Sequence, residues 1–403
     1  MSTPAGWHGE SHTLWAQGQQ GPALQALVGH INAIVKSGSK PDARIYDQMA
    51  YYMFLRKEYP AALSALQWSL KLAPDNTQTE RNLAVIHQRL EQNEAAVEHA
   101  MSVLMKEPSD FLTYDVLCAA LQKLRRFDEA RKAGTAALRL KDEHIQKTLP
   151  APRDWLLPTK RRSTGLRELN GRRNVIAFSL WGQQPRYLRG ALQNLLVARQ
   201  VYPGWTLRFH LDDSVPAEFP ELLRQLGAEV VHHPGSEHGN RERLCWRFSV
   251  ANDPTVGYFL VRDVDSVINT REAMAVDAWL AGSAHFHVLR DWWTHTDLML
   301  AGMWGGVAGV LPDLTAMLTA YKSNVMETPN IDQIFLRDCV WSLVRPSVCV
   351  HDRMFTPPLA QPMPAAPAPS NVANLHIGQD EFTVAGQHQA SLLKAWCERY
   401  PWL

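Results

Sequence analysis

The sequence predicts two joined folds: an all-α array of helical hairpins in the first third, then an α/β domain built on a mainly parallel sheet. Three observations carry this reading. A chain of 403 residues exceeds the usual size of one domain. Small residues recur at a fixed long interval between Ala50 and Ala130. Beyond Asn174, short apolar and β-branched runs alternate with stretches of helical spacing. With 46% hydrophobic and 20% charged residues the chain can bury ordinary cores. A formal net charge of +1 removes any general electrostatic reason to expect nucleic acid or an acidic membrane as partner. Cys118, Cys245, Cys339, Cys349 and Cys397 are scattered and form no CxxC pair, which argues against a disulfide framework or a zinc knuckle. That usage favours a reducing compartment. "MSTPAGWHGESHTLW" lacks the basic start and apolar core of a signal peptide, and no apolar run approaches the ~20 residues of a membrane span. A soluble, cytoplasmic protein is expected.

In the helical part, Ala50 and Ala62, Ala84 and Ala96, and Cys118 and Ala130 form three pairs with the same internal spacing, each displaced from the last by 34 residues. Small residues there let two antiparallel helices approach closely. Pro74 and Pro108 close the first two copies, since proline stops a helix, and Asp142 stands where a third proline would fall. Met49, Leu83 and Leu117 occupy equivalent apolar positions. The pattern resembles the tetratricopeptide repeat over about Ala43 to Glu143. Ala16 to Lys36 reads as a partial or capping helix pair, "GPALQAL" echoing "YPAALSAL". Arrays of this kind bind a protein or peptide, or prop up or dimerise an attached domain, so an acceptor partner held by the array and a homo-oligomer both follow from the resemblance. The expected division is 1–144 for the array, 145–173 for a basic linker and 174–403 for the α/β domain. The linker carries Lys147, Arg153, Lys160, Arg161, Arg162, Arg167, Arg172 and Arg173, and reads as a solvated face.

The α/β part opens with the strand "NVIAFSLWG", the helix "RYLRGALQNLLVARQVYP" and the strand "WTLRFHLDD", followed by a helix and strand in "FPELLRQLGAEVVHH". "GYFLVRDVDS" is a later strand. In sheets of this type ligands bind at the carboxyl ends of the strands, which is where Asp263 and Asp265 fall. Two carboxylates two residues apart at a strand end point the same way. Together they can hold Mn²⁺ or Mg²⁺, which keeps positions for water and substrate phosphates and makes a diphosphate a better leaving group.

"FSLWGQQPRYLRGALQN", "GWTLRFHLDDS", "CWRFSVANDPTVGYFLVRDVDS", "FHVLRDWWTHTDLMLAGMWGG", "NIDQIFL" and "NLHIGQ" occur in the order seen in bacterial glycosyltransferases of the GT-A fold, a Rossmann-like, nucleotide-sugar-dependent class. The resemblance covers roughly Asn174 to Gln387. It implies a UDP- or GDP-sugar donor received by Ser179, Leu180 and Trp181, with Asp212 or Asp213 on base or ribose. It implies that Asp263 contacts ribose and metal, that Asp265 ligates the metal, and that a late histidine completes the shell, His376 first and His351 second. Arg247 resembles the cation that steadies the diphosphate.

In "GMWGG" the glycines, Gly302 first, let backbone approach the donor sugar, and Trp304 offers a flat face, with a core tryptophan as the competing reading. Asp291, with Arg290 after a predicted strand, reads either as accepting hydrogen bonds from a sugar hydroxyl or as part of a local ion pair. Asp332 and Gln333 resemble the Asp-Gln pair of retaining enzymes, while Asp332 could equally be the general base of an inverting one; retention is slightly favoured. Arg262 adjoins the acidic pair and pairs with it or shapes the site. His285, His287 and His295 lack the companions of a zinc motif. GxGxxG and GxxxxGK[ST] are absent, which counts against a dinucleotide enzyme or P-loop kinase. The Pro/Ala-rich run Thr356 to Asn371 reads as an extended loop, a lid or an inert excursion, and the tail as a closing helix. The functional expectation is a metal-dependent glycosyltransferase acting on a protein or glycan acceptor. Its alternatives are a non-catalytic repeat scaffold with a degenerate GT-A domain, or a nucleotidyltransferase.

Overall fold

The computed structural model describes residues 3–152, 155–157, 171–322, 330–365, 376–379, 393–400 and 402–403. Most of the basic segment and of the Pro/Ala-rich run lies outside these residues. The chain divides into two compact units, Met1–Leu140 and Lys141–Leu403.

The first unit is helical: α1 (Gly9–Ala16), α2 (Gln20–Lys36), α3 (Ala43–Leu55), α4 (Tyr59–Leu72), α5 (Thr77–Arg89), α6 (Asn93–Lys106), α7 (Phe111–Lys123) and the start of α8 (Phe127–Thr148). The six small residues of the sequence pattern are all buried, so the hairpins close on them as expected. Ala50, Ala62, Ala65 and Leu66 of α3 and α4 pack with Leu83 and Ile86 of α5. The helix pair expected near Ala16 to Lys36 is α1 with α2. Leu27 and Ile31 of α2 join Ile45 and Tyr52 of α3, and Trp15 stacks on Tyr52 at 4.0 Å.

Two further features repeat with the same period. Asp42, Asn76 and Asp110 each accept backbone N–H groups at the start of α3, α5 and α7, satisfying donors that a helix leaves open. Lys57, Glu91 and Arg125 each take a left-handed backbone (φ about 60°) at the turn inside a hairpin. Asp142, in place of the third proline, does not end its helix: α8 runs for 22 residues. Its carboxylate accepts instead from Trp341 Nε1 at 2.8 Å and Arg345 Nε at 2.7 Å, and Lys141 Nζ donates to Thr296 O at 2.9 Å. These bonds explain why the second unit begins at Lys141, a few residues before the boundary expected at 144.

The second unit contains β1 (Arg173–Leu180), α9 (Pro185–Val201), β2 (Trp205–Asp212), α10 (Phe219–Gln225), β3 (Glu229–His233), α11 (Asn240–Cys245), a 3-10 segment (Trp246–Asn252), β4 (Val256–Arg262), α12 (Thr270–Ala281), β5 (Phe286–Arg290), β6 (Met303–Val307), α13 (Leu314–Ala320), α14 (Ile331–Phe335), a π-helical turn (Leu336–Val340), α15 (Trp341–Val344), β7 (Val348–Asp352), β8 (Ala360–Gln361) and α16 (Lys394–Arg399). The strands form one sheet in the order β3-β2-β1-β4-β6-β5-β7-β8. Among the described strands β6 alone runs against the rest, so the mainly parallel sheet of the sequence reading is present with one reversed strand.

Strands β1 and β4 are buried almost throughout, as expected when helices cover both faces. Phe178, Phe209, Tyr258, Phe219 and Trp279 fill one core. From β1 the chain steps outward through β2 to β3, then returns to place β4 on the other side of β1. Such a reversal leaves a crevice at the carboxyl ends of β1 and β4. Among the described residues no helix is long and apolar enough to cross a membrane.

The repeated caps and turns give a direct test. Asn76→Ala should lower stability by about 1 kcal/mol through loss of its cap. Lys57→Gly should raise it by up to about 1 kcal/mol, because glycine adopts the left-handed turn without a Cβ clash. Urea unfolding of both variants measures the two shifts, and equal signs would contradict the roles given.

Candidate functional site

A cleft opens at the crevice between β1 and β4. It has a volume of about 260 Å³ and is lined by Ser179 and Leu180 at the end of β1 with Trp181 just beyond, Arg247 of the 3-10 segment, and Asp263 and Asp265 after β4. A second cavity of about 430 Å³ shares Asp263 and adds His295, Gly302, Asp332, Gln333 and Gly378. The structure thus brings together nine of the expected site residues.

Local packing fixes the acidic loop. Arg262, the last residue of β4, turns away from the carboxylates and is buried against α12, where its Nε donates to Glu272 at 2.8 Å; Tyr202 donates to the same oxygen at 3.0 Å. Arg262 therefore shapes the strand end rather than pairing with the acidic residues. The loop beyond is held from α9. A side chain at Gly190 would collide with Val264 O. One turn on, Asn194 Nδ2 donates to Val264 O at 3.2 Å and Ser266 O at 3.0 Å, while its Oδ1 accepts from Ile268 N at 3.0 Å. Gly190 and Asn194 were missed from sequence, although their one-turn spacing on an otherwise apolar face is the available signal.

Arg247 is the centre of the site. It is buried, and its Nη1 donates to Asp263 Oδ1 at 2.5 Å and to Arg262 O at 2.7 Å. Nη2 lies 3.3 Å from Asp332 Oδ2, and its backbone N–H donates to Ser179 Oγ at 3.2 Å. Asp265 pairs with Arg186 at the start of α9. Burial pushes the Asp332 carboxyl up to about 6, with Arg247 opposing and Asp263 adding to the rise.

Gly302 has a role other than the one expected. A Cβ there would strike the Asp263 carboxylate, so the absent side chain makes room for that carboxylate. Any larger residue must displace it.

Four expected site residues are placed elsewhere. Trp304 is fully buried in β6 between Phe248 and Phe259, at ring distances of 5.7 and 5.1 Å, so the core reading replaces the sugar-facing one. Asp291 is fully buried, pairs with Arg271 and accepts Ile377 N at 2.7 Å. It clasps the 376–378 segment rather than facing a ligand. Asp212 is buried and taken up by Arg243 and by Ser214, whose Oγ accepts Gly182 N at 2.7 Å, so it orders the loop after β1. His376 stacks on Trp292 at 4.9 Å, and its Nδ1 lies 2.9 Å from Ile377 O. Burial lowers its pKa and favours the neutral ring.

The expected ligand trio Asp263, Asp265 and His376 does not converge. Among the described residues, the group whose ligand atoms all come within 4.8 Å of one another is His287, Cys349 and His351. The second choice for the late histidine, His351, belongs there. Asp263 and Asp265 still fit a hard cation of the Mg²⁺ kind, which takes one or two carboxylates and completes its shell with water and substrate phosphate rather than an all-protein cage.

No family model matches the sequence, and no curated protein matches it. Solved structures similar to the chain include MamA 41-end from Desulfovibrio magneticus RS-1, 20% identical over 34% of this chain and 74% of that one, with TM-score 0.31. The Sgt2 TPR domain from Aspergillus fumigatus is 21% identical over 26% of this chain and 68% of that one, TM-score 0.25. The first TPR of Spaghetti (RPAP3), bound to the HSP90 peptide SRMEEVD, is 20% identical over 27% and 85%, TM-score 0.25. The helical-repeat description of the first unit rests on its own caps, turns and buried small residues.

The raised Asp332 carboxyl has a consequence for stability. Between the ordinary 3.8 and about 6, the folded protein binds more protons than the unfolded chain, so stability falls as pH rises through that window. Asp332→Asn should flatten this fall. Thermal unfolding midpoints of both proteins from about pH 4 to pH 7 measure it, and parallel curves would refute the assignment.

Proposed function

We propose that the second unit binds a nucleotide-sugar in the β1/β4 cleft and transfers the sugar to an acceptor in the adjoining cavity. The observation that carries this reading is Asp263 shared by two cavities, with Arg247 linking it to Asp332. In this reading the nucleoside lies along Ser179, Leu180 and Trp181, and the diphosphate lies by Asp263 and Asp265. A divalent cation held by those carboxylates would neutralise charge on the departing diphosphate.

The chain's own residues supply the rest. Arg247 and Arg186 are guanidinium donors suited to bidentate phosphate contacts, and they can exchange their carboxylate partners for phosphate when a cation takes the carboxylates. Asp332, with Gln333 beside it, borders the second cavity where the sugar's anomeric carbon and the acceptor hydroxyl would meet. With a pKa of about 6 it is largely ionised at neutral pH. It can then take a proton from the acceptor in an inverting reaction, or stabilise positive charge on the sugar in a retaining one. The retaining assignment stays part of the proposal, as do the UDP- or GDP-sugar donor and a protein or glycan acceptor presented by the helical array.

A second reading has an observation of its own. Both acidic residues of the loop are already ion-paired with arginines, and Asp291 is committed to a structural clasp. A scaffold whose α/β unit no longer catalyses fits those pairings. The readings separate on two measurements. A nucleoside diphosphate should raise the melting temperature only with Mn²⁺ or Mg²⁺ present, since a ligand selective for the native state stabilises it. Asp265→Ala should abolish metal-dependent hydrolysis of nucleotide-sugars while leaving the fold intact. Full activity of that variant without metal would sink the transferase reading, and the absence of any nucleotide effect would favour the scaffold.

A further inference from the structure

Away from the cleft, β5 and β7 lie side by side and parallel, with His287 opposite Cys349 and Leu289 opposite His351. Alternation along β7 sends Cys349 and His351 to one face, and His287 meets them from β5. His287 Nε2 lies 2.8 Å from His351 Nδ1, and Cys349 Sγ lies 3.8 Å from that same nitrogen. One ligand atom from each residue falls within 4.8 Å of the other two.

We infer that His287, Cys349 and His351 form a binding site for a transition-metal dication of the zinc class. Two imidazoles and a thiol are donors that such ions prefer, and the trio offers no oxygen ligand to a hard cation such as Mg²⁺. The adjustment needed is small. With metal–nitrogen bonds of about 2.0 Å and a metal–sulfur bond of about 2.3 Å, tetrahedral ligands sit roughly 3.3 to 3.5 Å apart. The two nitrogens must therefore open by about half an ångström, and the sulfur must close by less.

The surroundings support ligation. Trp279 stacks on the His287 ring, with centroids 5.4 Å apart and planes 6° from parallel, which fixes its orientation. Gln361 of β8 places Nε2 2.8 Å from Cys349 Sγ, where an N–H donor stabilises a thiolate. His287 and His351 are buried, whereas Cys349 is half-buried and Gln361 exposed, so a metal can enter from solvent and a water can complete its shell. On binding, the Cys349 thiol loses its proton to solvent. Each imidazole keeps its single proton on the nitrogen that does not ligate; for His351 this is Nε2, 3.2 Å from Gln361 Nε2, so the exposed Gln361 side chain must swing away from that N–H as the metal binds. The metal would tie β5 to β7 across the sheet. This inference is independent of the transferase reading.

Cobalt(II) is the probe. Titrated into the full-length protein after chelator treatment, it should bind at one equivalent with a thiolate-to-cobalt charge-transfer band, and Zn²⁺ should displace it. Cys349→Ser should abolish that band and weaken binding at least ~10-fold. Far-UV circular dichroism checks that the variant folds. Independently, Zn²⁺ should slow alkylation of Cys349 in the wild-type chain, read by peptide mass spectrometry. Absence of saturable cobalt binding, a band that survives Cys349→Ser, or an alkylation rate indifferent to Zn²⁺ would each overturn the assignment.

Discussion

The buried guanidinium of Arg247 organises the carboxyl edge of the sheet. It reaches Asp263 on the loop after β4, Asp332 at the start of α14 and the carbonyl of Arg262, while its own backbone is bonded to Ser179 at the end of β1. Three chain segments distant in sequence, at Ser179, at Arg262–Asp263 and at Asp332, are thus referred to one residue. A cation in this position must be compensated, because an isolated buried charge is far costlier than a paired one. Removing it would leave Asp332 buried without its partner, a loss on the order of 3–5 kcal/mol. The same burial gives Asp332 its raised pKa, since desolvation outweighs the attraction of Arg247. Structure and chemistry here have one cause.

The loop carrying the acidic pair depends on absent side chains as much as on present ones. Gly190 lets α9 close onto Val264, and Gly302 leaves space for the Asp263 carboxylate. Asn194 then satisfies three backbone groups of the loop from one side chain. The loop is fixed before any ligand arrives, which limits the reorganisation that binding would require. Asp291 and Asp212 belong to this scaffolding: one clasps the segment containing Ile377, the other orders the turn at Gly182 through Ser214.

What the sequence made legible follows from range. The 34-residue period showed in small residues because each must sit where two helices touch. The same period runs through Asp42, Asn76 and Asp110 and through Lys57, Glu91 and Arg125, where it went unread because caps and turns vary in residue type. Strand ends were legible because an apolar run that stops on charge marks where the chain leaves the core. Side-chain direction was not. Trp304 and Asp291 stand beside the expected site in sequence, but alternation along β6 and the pull of Arg271 turn them inward. The sequence dismisses zinc for His287 only in the company of His285 and His295, and offers His351 as a second choice for the cleft's cation, so nothing in it joins these two histidines to Cys349. The three meet through the register of β5 on β7, and no local pattern records a register.

Charge balance in the cleft constrains what it can accept. Asp263, Asp265 and Asp332 face two guanidiniums, Arg186 and Arg247, so with Asp332 ionised this cluster carries about one excess negative charge. A diphosphate adds more negative charge beside carboxylates that already hold both arginines. It can enter favourably only if positive charge enters with it, or if Asp332 takes up a proton. A divalent cation on Asp263 and Asp265 does the first, and it frees the arginines for phosphate. On the transferase reading proposed above, nucleotide and metal would therefore bind with positive coupling, each raising the affinity of the other by the same factor. Protonation of Asp332 as pH falls toward 6 would reduce the excess negative charge and so ease the dependence on metal. On that same reading, the pH at which the cleft would hold a nucleotide without metal is tied to the burial of one carboxylate at the start of α14.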